Sequence, residues 1–186
     1  MAPARIPEPA PRHLRPSRFS HIVLQTPRFE EMTAWYKTVL SARPLLENDV
    51  VCFLTYDEEH HRVMIGRNPN ATPRDARAAG VVHFAYAMES LADLVGAYER
   101  LAAEGIEPVR CIDHGFTTSL YYADPDGNEV ELQVDNFATR DEFNAWFATG
   151  AFDRNFVGVA FDPARMVALH RSGLPEAQIL QRELTA

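Results

Sequence analysis

Two stretches of this chain can be laid over one another, and that repeat limits the folds open to it more than any other feature. "FSHIVLQTPRFEEMTAWYKTVL" aligns with "VVHFAYAMESLADLVGAYERLAAEG", placing His21 on His83 and Tyr36 on Tyr98. Each copy opens with a short run rich in Val, Ile and Phe and continues into apolar residues at helical spacing. In the first copy, Thr26 and Pro27 read as a cap with proline in the first turn, ahead of a buried stripe of Phe29, Met32, Tyr36 and Val39. In the second, Ser90 caps with Asp93 three residues on. Leu91, Leu94, Val95, Tyr98 and Leu101 form the stripe, and Gly105 ends it. Strand-like runs follow both helices: a faint one near Leu45, "DVVCFLTY" and "HRVMIG" in copy one, and "PVRCI", "SLYYA" and "EVELQV" in copy two, the last pair joined by "DPDGN".

The order is therefore strand, helix, three strands, twice, an α+β pattern. It predicts one domain over 19–137, made of module one (19–67) and module two (81–136) with a Pro- and Asn-containing linker at 68–80. Residues 1–18, rich in Pro and Arg, read as a disordered arm. From 138 to 186 a helical extension is expected, because Thr139 with Glu142 resembles a capping box and "DPARMVALHRSG" has its own cap, first-turn proline and closing glycine.

Composition excludes several classes of function. A formal net charge of -8 and a pI near 5.3 oppose a nucleic-acid surface, which needs Lys and Arg against phosphate. No apolar run approaches the ~20 residues of a membrane helix, and the N-terminal stretch lacks the apolar centre of a signal peptide. The two cysteines, Cys52 and Cys111, sit in apolar runs and suit a reducing cytoplasm. A small-molecule partner is expected.

Strand alternation puts His21 on a face with Phe19 and Val23, and His83 on a face with Val81 and Ala85. Taken singly, each reads as a hydrogen-bonded core histidine. Glu131, set opposite to Val130, Leu132 and Val134, reads alone as a residue on the wet side of an amphipathic strand. Together, two histidines at equivalent points of a repeat and one carboxylate form the facial donor set that leaves open positions on a metal and suits non-haem Fe(II).

With those residues, the repeat resembles the vicinal oxygen chelate superfamily. The resemblance implies paired βαβββ modules forming a cup-shaped mixed sheet around one divalent metal, held here by His21, His83 and Glu131. That superfamily spans glyoxalases, thiol transferases, epimerases, drug-binding resistance proteins and type I extradiol dioxygenases, and fold alone does not choose among them. The stretch from Ile112 to Glu131 does. His114, Leu120 with Tyr121, Asp124 with Pro125, Gly127 and Glu131 resemble the extradiol signature, as in small single-domain enzymes acting on 2,3-dihydroxybiphenyl-type catechols.

The resemblance implies Fe(II), with Mn as the alternative, and a small aromatic diol and O2 as partners. It makes His61 the base for a catechol hydroxyl, and His114 a hydrogen-bond donor to the deprotonated substrate oxygen. If "DPDGN" closes the hairpin, Tyr121 lies opposite Glu131 and points the same way. An apolar pocket lined by Val23, Val63 and Phe53 is expected, covered by Trp146 and Phe147. Open sheet edges favour a homo-oligomer. Two other readings stand beside this one: a glyoxalase-like isomerase or thiol transferase using another metal, and a metal-free drug-binding resistance protein.

Overall fold

The computed structural model describes residues 5–75 and 77–180, so residues 1–4 of the arm, Ala76 of the linker and 181–186 of the extension lie outside the described residues. The chain divides into two compact units. One holds Pro9–Val82 together with Ala123–Glu129; the other holds the stretch ending at Glu8, His83–Tyr122 and the chain from Val130 onward.

In the first unit a 3-10 turn, Arg12–Leu14, precedes β1 (Ile22–Thr26), α1 (Phe29–Val39), β2 (Arg43–Glu47), β3 (Val51–Thr55) and β4 (Val63–Arg67). The sheet runs β1-β4-β3-β2, with β1 parallel to β4 and the remaining pairs antiparallel. α1 buries Phe29, Met32, Tyr36 and Val39 as its periodicity predicts, and such side chains contribute about 1.5–3 kcal/mol each. Its start differs from the expected one. The helix begins at Phe29 behind an Arg28 cap that makes no side-chain bond, while the Thr26 hydroxyl accepts the Arg28 N–H at 2.9 Å. Thr26 therefore closes the turn out of β1 and does not cap the helix.

The "DPDGN" turn packs in this unit. The Asp124 carboxylate accepts the Asp126 and Asn128 N–H groups, the Asn128 amide and, at 3.0 Å, the Tyr36 hydroxyl. Gly127 takes φ +81°, the left-handed conformation such a turn requires. Burial pushes the Asp124 carboxyl upward, against the pull of these donors.

The second unit repeats the order with β5 (His83–Ala87), α2 (Leu91–Ala103), β6 (Arg110–Asp113), β7 (Thr117–Ala123) and β8 (Glu129–Asp135). Ser90 accepts the Asp93 N–H at 3.1 Å and so caps α2 as expected. Leu91, Leu94 and Leu101 of α2 pack in a core with Leu120, Tyr122, Val130 and Leu132. After β8 come α3 (Arg140–Ala148) with the predicted Thr139–Glu142 capping box, α4 (Ala151–Arg154), β9 (Val159–Ala160), α5 (Pro163–Arg171) and α6 (Glu176–Ile179). The sheet order is β5-β8-β7-β6-β9. The sequence pattern predicts only helices in this extension, yet the two-residue β9 adds an antiparallel edge to β6. Among the described residues no helix is long and apolar enough to cross a membrane.

Candidate functional site

The six predicted site residues fall into two groups, each inside one unit. His83, Glu131, Tyr121 and His114 form the first. The face of β8 opposite Val130 and Leu132 presents Glu131, which is only 4% exposed. An ionised carboxylate cannot be held so deep without partners. The Tyr121 hydroxyl donates to its Oε1 at 2.9 Å, and His83 Nε2 lies 3.0 Å from its Oε2. Tyr121 and Glu131 thus share a face, as the hairpin geometry predicts.

Protons can be assigned along this chain. The single Tyr121 proton is given to Glu131, so the phenol oxygen is left to accept, and His114 Nε2, 2.8 Å away, carries the donated hydrogen. Burial, with the neighbouring carboxylate acting in the same sense, raises the Tyr121 pKa well above that of a free phenol. It stays a donor at working pH. Sequence reasoning missed Arg110, whose guanidinium stacks over the Tyr121 ring at 3.8 Å. Arg110 is directly opposite Tyr121 in the β6–β7 register, so counting back from the tight turn through both hairpins could have found it.

The second group lies in the other unit. His21 immediately precedes β1, His61 comes two residues before β4, and these strands are parallel neighbours. Their rings approach to 4.3 Å between centroids, and His61 stacks on Phe53 at 4.9 Å. Burial and then the neighbouring His21 and His60 hold the His61 pKa below the usual imidazole range. Strand alternation predicts that His60 points away from His61, but their Nδ1 atoms are 2.5 Å apart. Residues 56–61 form an irregular turn, where alternation has no force. Arg62 grips this segment, pairing with Asp57 at 2.8 Å and donating to the Phe19 and Ser20 carbonyls.

The expected apolar lining needs one correction. Register places Val23 beside Met64 and Met64 beside Phe53, whereas Val63 pairs with Ile22 and Leu54 on the buried face. Met64 therefore replaces Val63 as the face partner. Trp146 and Phe147 join an aromatic cluster with Phe116, Phe137, Phe143 and Phe152. A cavity of about 1320 Å³, lined in part by Met88, Leu91, Val134, Phe137 and Trp146, touches none of the six predicted residues.

His83 and Glu131 bring an imidazole nitrogen and a buried carboxylate oxygen within 3.0 Å of each other, the kinds of donor a divalent metal takes. Among the described residues, no three His, Cys, Asp or Glu side chains are gathered closely enough to hold a metal.

A repeated βαβββ fold with an imidazole–carboxylate pair on its strands defines a class, and the chain belongs to it: the Glyoxalase/Bleomycin resistance protein/Dioxygenase superfamily, whose model matches residues 18–132. Among curated proteins the chain is 50% identical over 163 residues to biphenyl-2,3-diol 1,2-dioxygenase 2 of Rhodococcus globerulus, covering 87% of this chain and 86% of that protein. It is 42% identical to biphenyl-2,3-diol 1,2-dioxygenase 3 of the same organism, covering 89% and 88%. A glyoxalase/dioxygenase from Nostoc punctiforme shares the fold at a TM-score of 0.56 and 18% identity, over 71% of this chain and 99% of that one.

Proposed function

We propose that this chain is an extradiol dioxygenase that opens 2,3-dihydroxybiphenyl, or another 3-substituted catechol, beside its two hydroxyls in the degradation of aromatic compounds. Both atoms of O2 enter the product as the ring C–C bond breaks. The observation that carries the reading is the hydrogen-bonded chain His114–Tyr121–Glu131–His83, which joins three residues of the extradiol motif, the ligand Glu131 among them, to the second predicted ligand His83. The two R. globerulus relatives support it over most of the chain.

His83 and Glu131 would hold Fe(II), with His21 as the third ligand on the strength of its equivalence to His83 in the repeat. Bound there, the iron would supply the redox chemistry between diol and O2. Everything else is the work of side chains. His61 takes the proton of a catechol hydroxyl and later returns it, a role for which imidazole is suited near neutral pH. With substrate bound, Tyr121 and His114 would turn the hydrogens they give to Glu131 and Tyr121 toward the deprotonated substrate oxygen. Phe53, Met64 and Val23 offer apolar surface to an aryl ring. Free, buried Cys52 and Cys111 favour a reducing cytoplasm, and exposed edge strands such as β2 favour self-association.

The test is direct. Protein loaded with Fe(II) without oxygen, then given 2,3-dihydroxybiphenyl and air, turns yellow while consuming one O2 per ring. Full iron occupancy with no turnover across a panel of catechols would remove the proposal. Zn or Ni in natively purified protein, with glutathione-dependent activity, would move it to the isomerase or thiol transferase branch.

A further inference from the structure

The extension after β8 lies outside the residues matched to the family, 18–132, yet it reaches the backbone that carries His114. β9 pairs with the end of β6 in the register Ile112↔Ala160 and Asp113↔Val159, and Phe161 donates its N–H to the Cys111 carbonyl at 3.2 Å. The approach at Gly158 is closer still. A Cβ placed there would stand 2.6 Å from the Asp113 carbonyl oxygen, 2.7 Å from Ile112 Cγ2 and 3.0 Å from His114 Cα. Gly158 also takes φ +100°, so two independent reasons require glycine. Asn155 holds this peptide from both ends, donating from Nδ2 to the Gly158 carbonyl at 2.9 Å and accepting the Gly158 N–H at 3.0 Å.

On its other side the His114 segment is fixed from the sheet. The Asp113 carboxylate accepts the Gly115 N–H at 2.6 Å and the Asn136 amide at 3.3 Å, and the His114 N–H donates to the Thr117 carbonyl at 2.9 Å. Phe116, two residues on, is packed by Phe143, Trp146 and Phe152 of the same extension. The backbone of His114 is thus clamped between its own hairpin and the extension, and its ring has only two side-chain torsions left with which to meet the Tyr121 oxygen. We propose that the C-terminal extension sets the position of His114 toward substrate, with Gly158 as the positioning residue. This rests on the ring-cleavage reading for its catalytic consequence, but not for its geometric one.

The experiment compares the wild type with Gly158→Ala, Asn155→Ala and Gly173→Ala in the full-length chain. Gly173 ends α5 at φ +79° with nothing within 4 Å of an added Cβ, so its variant strains the extension without touching His114. Ring ¹⁵N shifts of His114 are read in metal-free protein, and kcat and KM in iron-loaded protein. The wild type shows one tautomer protonated at Nε2. Gly158→Ala mixes the tautomers and lowers kcat by about 10²-fold, the loss expected for a catalytic group displaced by an ångström, while KM moves far less. Asn155→Ala shifts both readouts in the same direction by a smaller factor, and it decides the matter if Gly158→Ala does not fold. Gly173→Ala lowers Tm but keeps the wild-type His114 spectrum and kcat. A wild-type His114 signature in Gly158→Ala or Asn155→Ala, or the same disturbance in Gly173→Ala, would overturn the proposal. If the wild type cleaves no catechol, the ring-cleavage reading falls and the tautomers still decide the clamp.

Discussion

The two modules began as the same pattern and hold their polar groups in opposite ways. In the second, β7 is buried at every position from Thr117 to Tyr122, and the chemistry on that sheet is the hydrogen-bonded chain His114–Tyr121–Glu131–His83. In the first, β3 alternates and the face bearing Val23, Phe53 and Met64 is only partly covered. Its histidines are held by ring stacking and by a charged clamp at the surface. Where the face of β8 presents Glu131, the corresponding face of β4 presents Met64. One module thus carries the acid and its hydrogen-bond chain, and the other a neutral base beside an apolar floor. A buried carboxylate demands partners and rigidifies what it touches; an imidazole meant to exchange protons needs access.

The largest expected effect breaks the first half of that contrast. Glu131→Ala removes the carboxylate on which His83 and Tyr121 converge, so iron retention and O2 uptake are both lost, as read by metal analysis and an oxygen electrode. His61→Gln should separate the modules next. Iron content stays at the wild-type level while kcat falls by about 10²–10⁴-fold, the usual loss when a positioned acid–base is removed. His60→Gln, on the neighbouring ring, changes kcat by no more than a few-fold. Loss of iron in His61→Gln would mean that this histidine is a ligand and not a base.

Tyr121→Phe tests whether the chain in the second module is also structural. The hydroxyl joins His114 to Glu131, and deleting it removes the donor to a buried carboxylate oxygen. Stability should fall by about 1–3 kcal/mol, measured as a shift in the urea midpoint, with a smaller loss in kcat than His61→Gln. An unchanged midpoint would show that water replaces the hydroxyl and that the chain adds no rigidity.

How much of this could be read in the sequence follows the same division. Helices α2, α3 and α5 were legible from their caps, since Ser90, Thr139 and Asp162 each accept the N–H that spacing predicts. Glu131 and Tyr121 were legible because a tight turn fixes hairpin register and register fixes faces. Alternation failed where there was no strand to carry it: through the turn at 56–61, which brought His60 onto His61, and across it into β4, where Met64 and not Val63 shares the face of Phe53. β9 had no signal, because two residues have no period and its place is set by Gly158 reaching a backbone more than forty positions earlier. The beginning of α1 was misjudged because Thr26 had a nearer donor, in Arg28, than any helical N–H.

The smallest effect sharpens the contrast from the side of the first module. Asp57 pairs with Arg62, whose guanidinium also holds the Phe19 and Ser20 carbonyls just ahead of His21. The Arg62 hydrogen bond, working against partial desolvation, keeps the Asp57 carboxyl below the usual carboxylate range. A depressed carboxylate stabilises the fold fully above its unfolded pKa, about 3.9, and that contribution is lost as pH falls through the folded value. Because the pair is solvent-screened, it is worth no more than about 1 kcal/mol. Asp57→Asn should therefore lower the urea midpoint slightly between pH 5 and 7, and the gap from wild type should close below about pH 4. A gap that persists in acid would show that Asp57 supports the loop of His61 by more than its charge on Arg62.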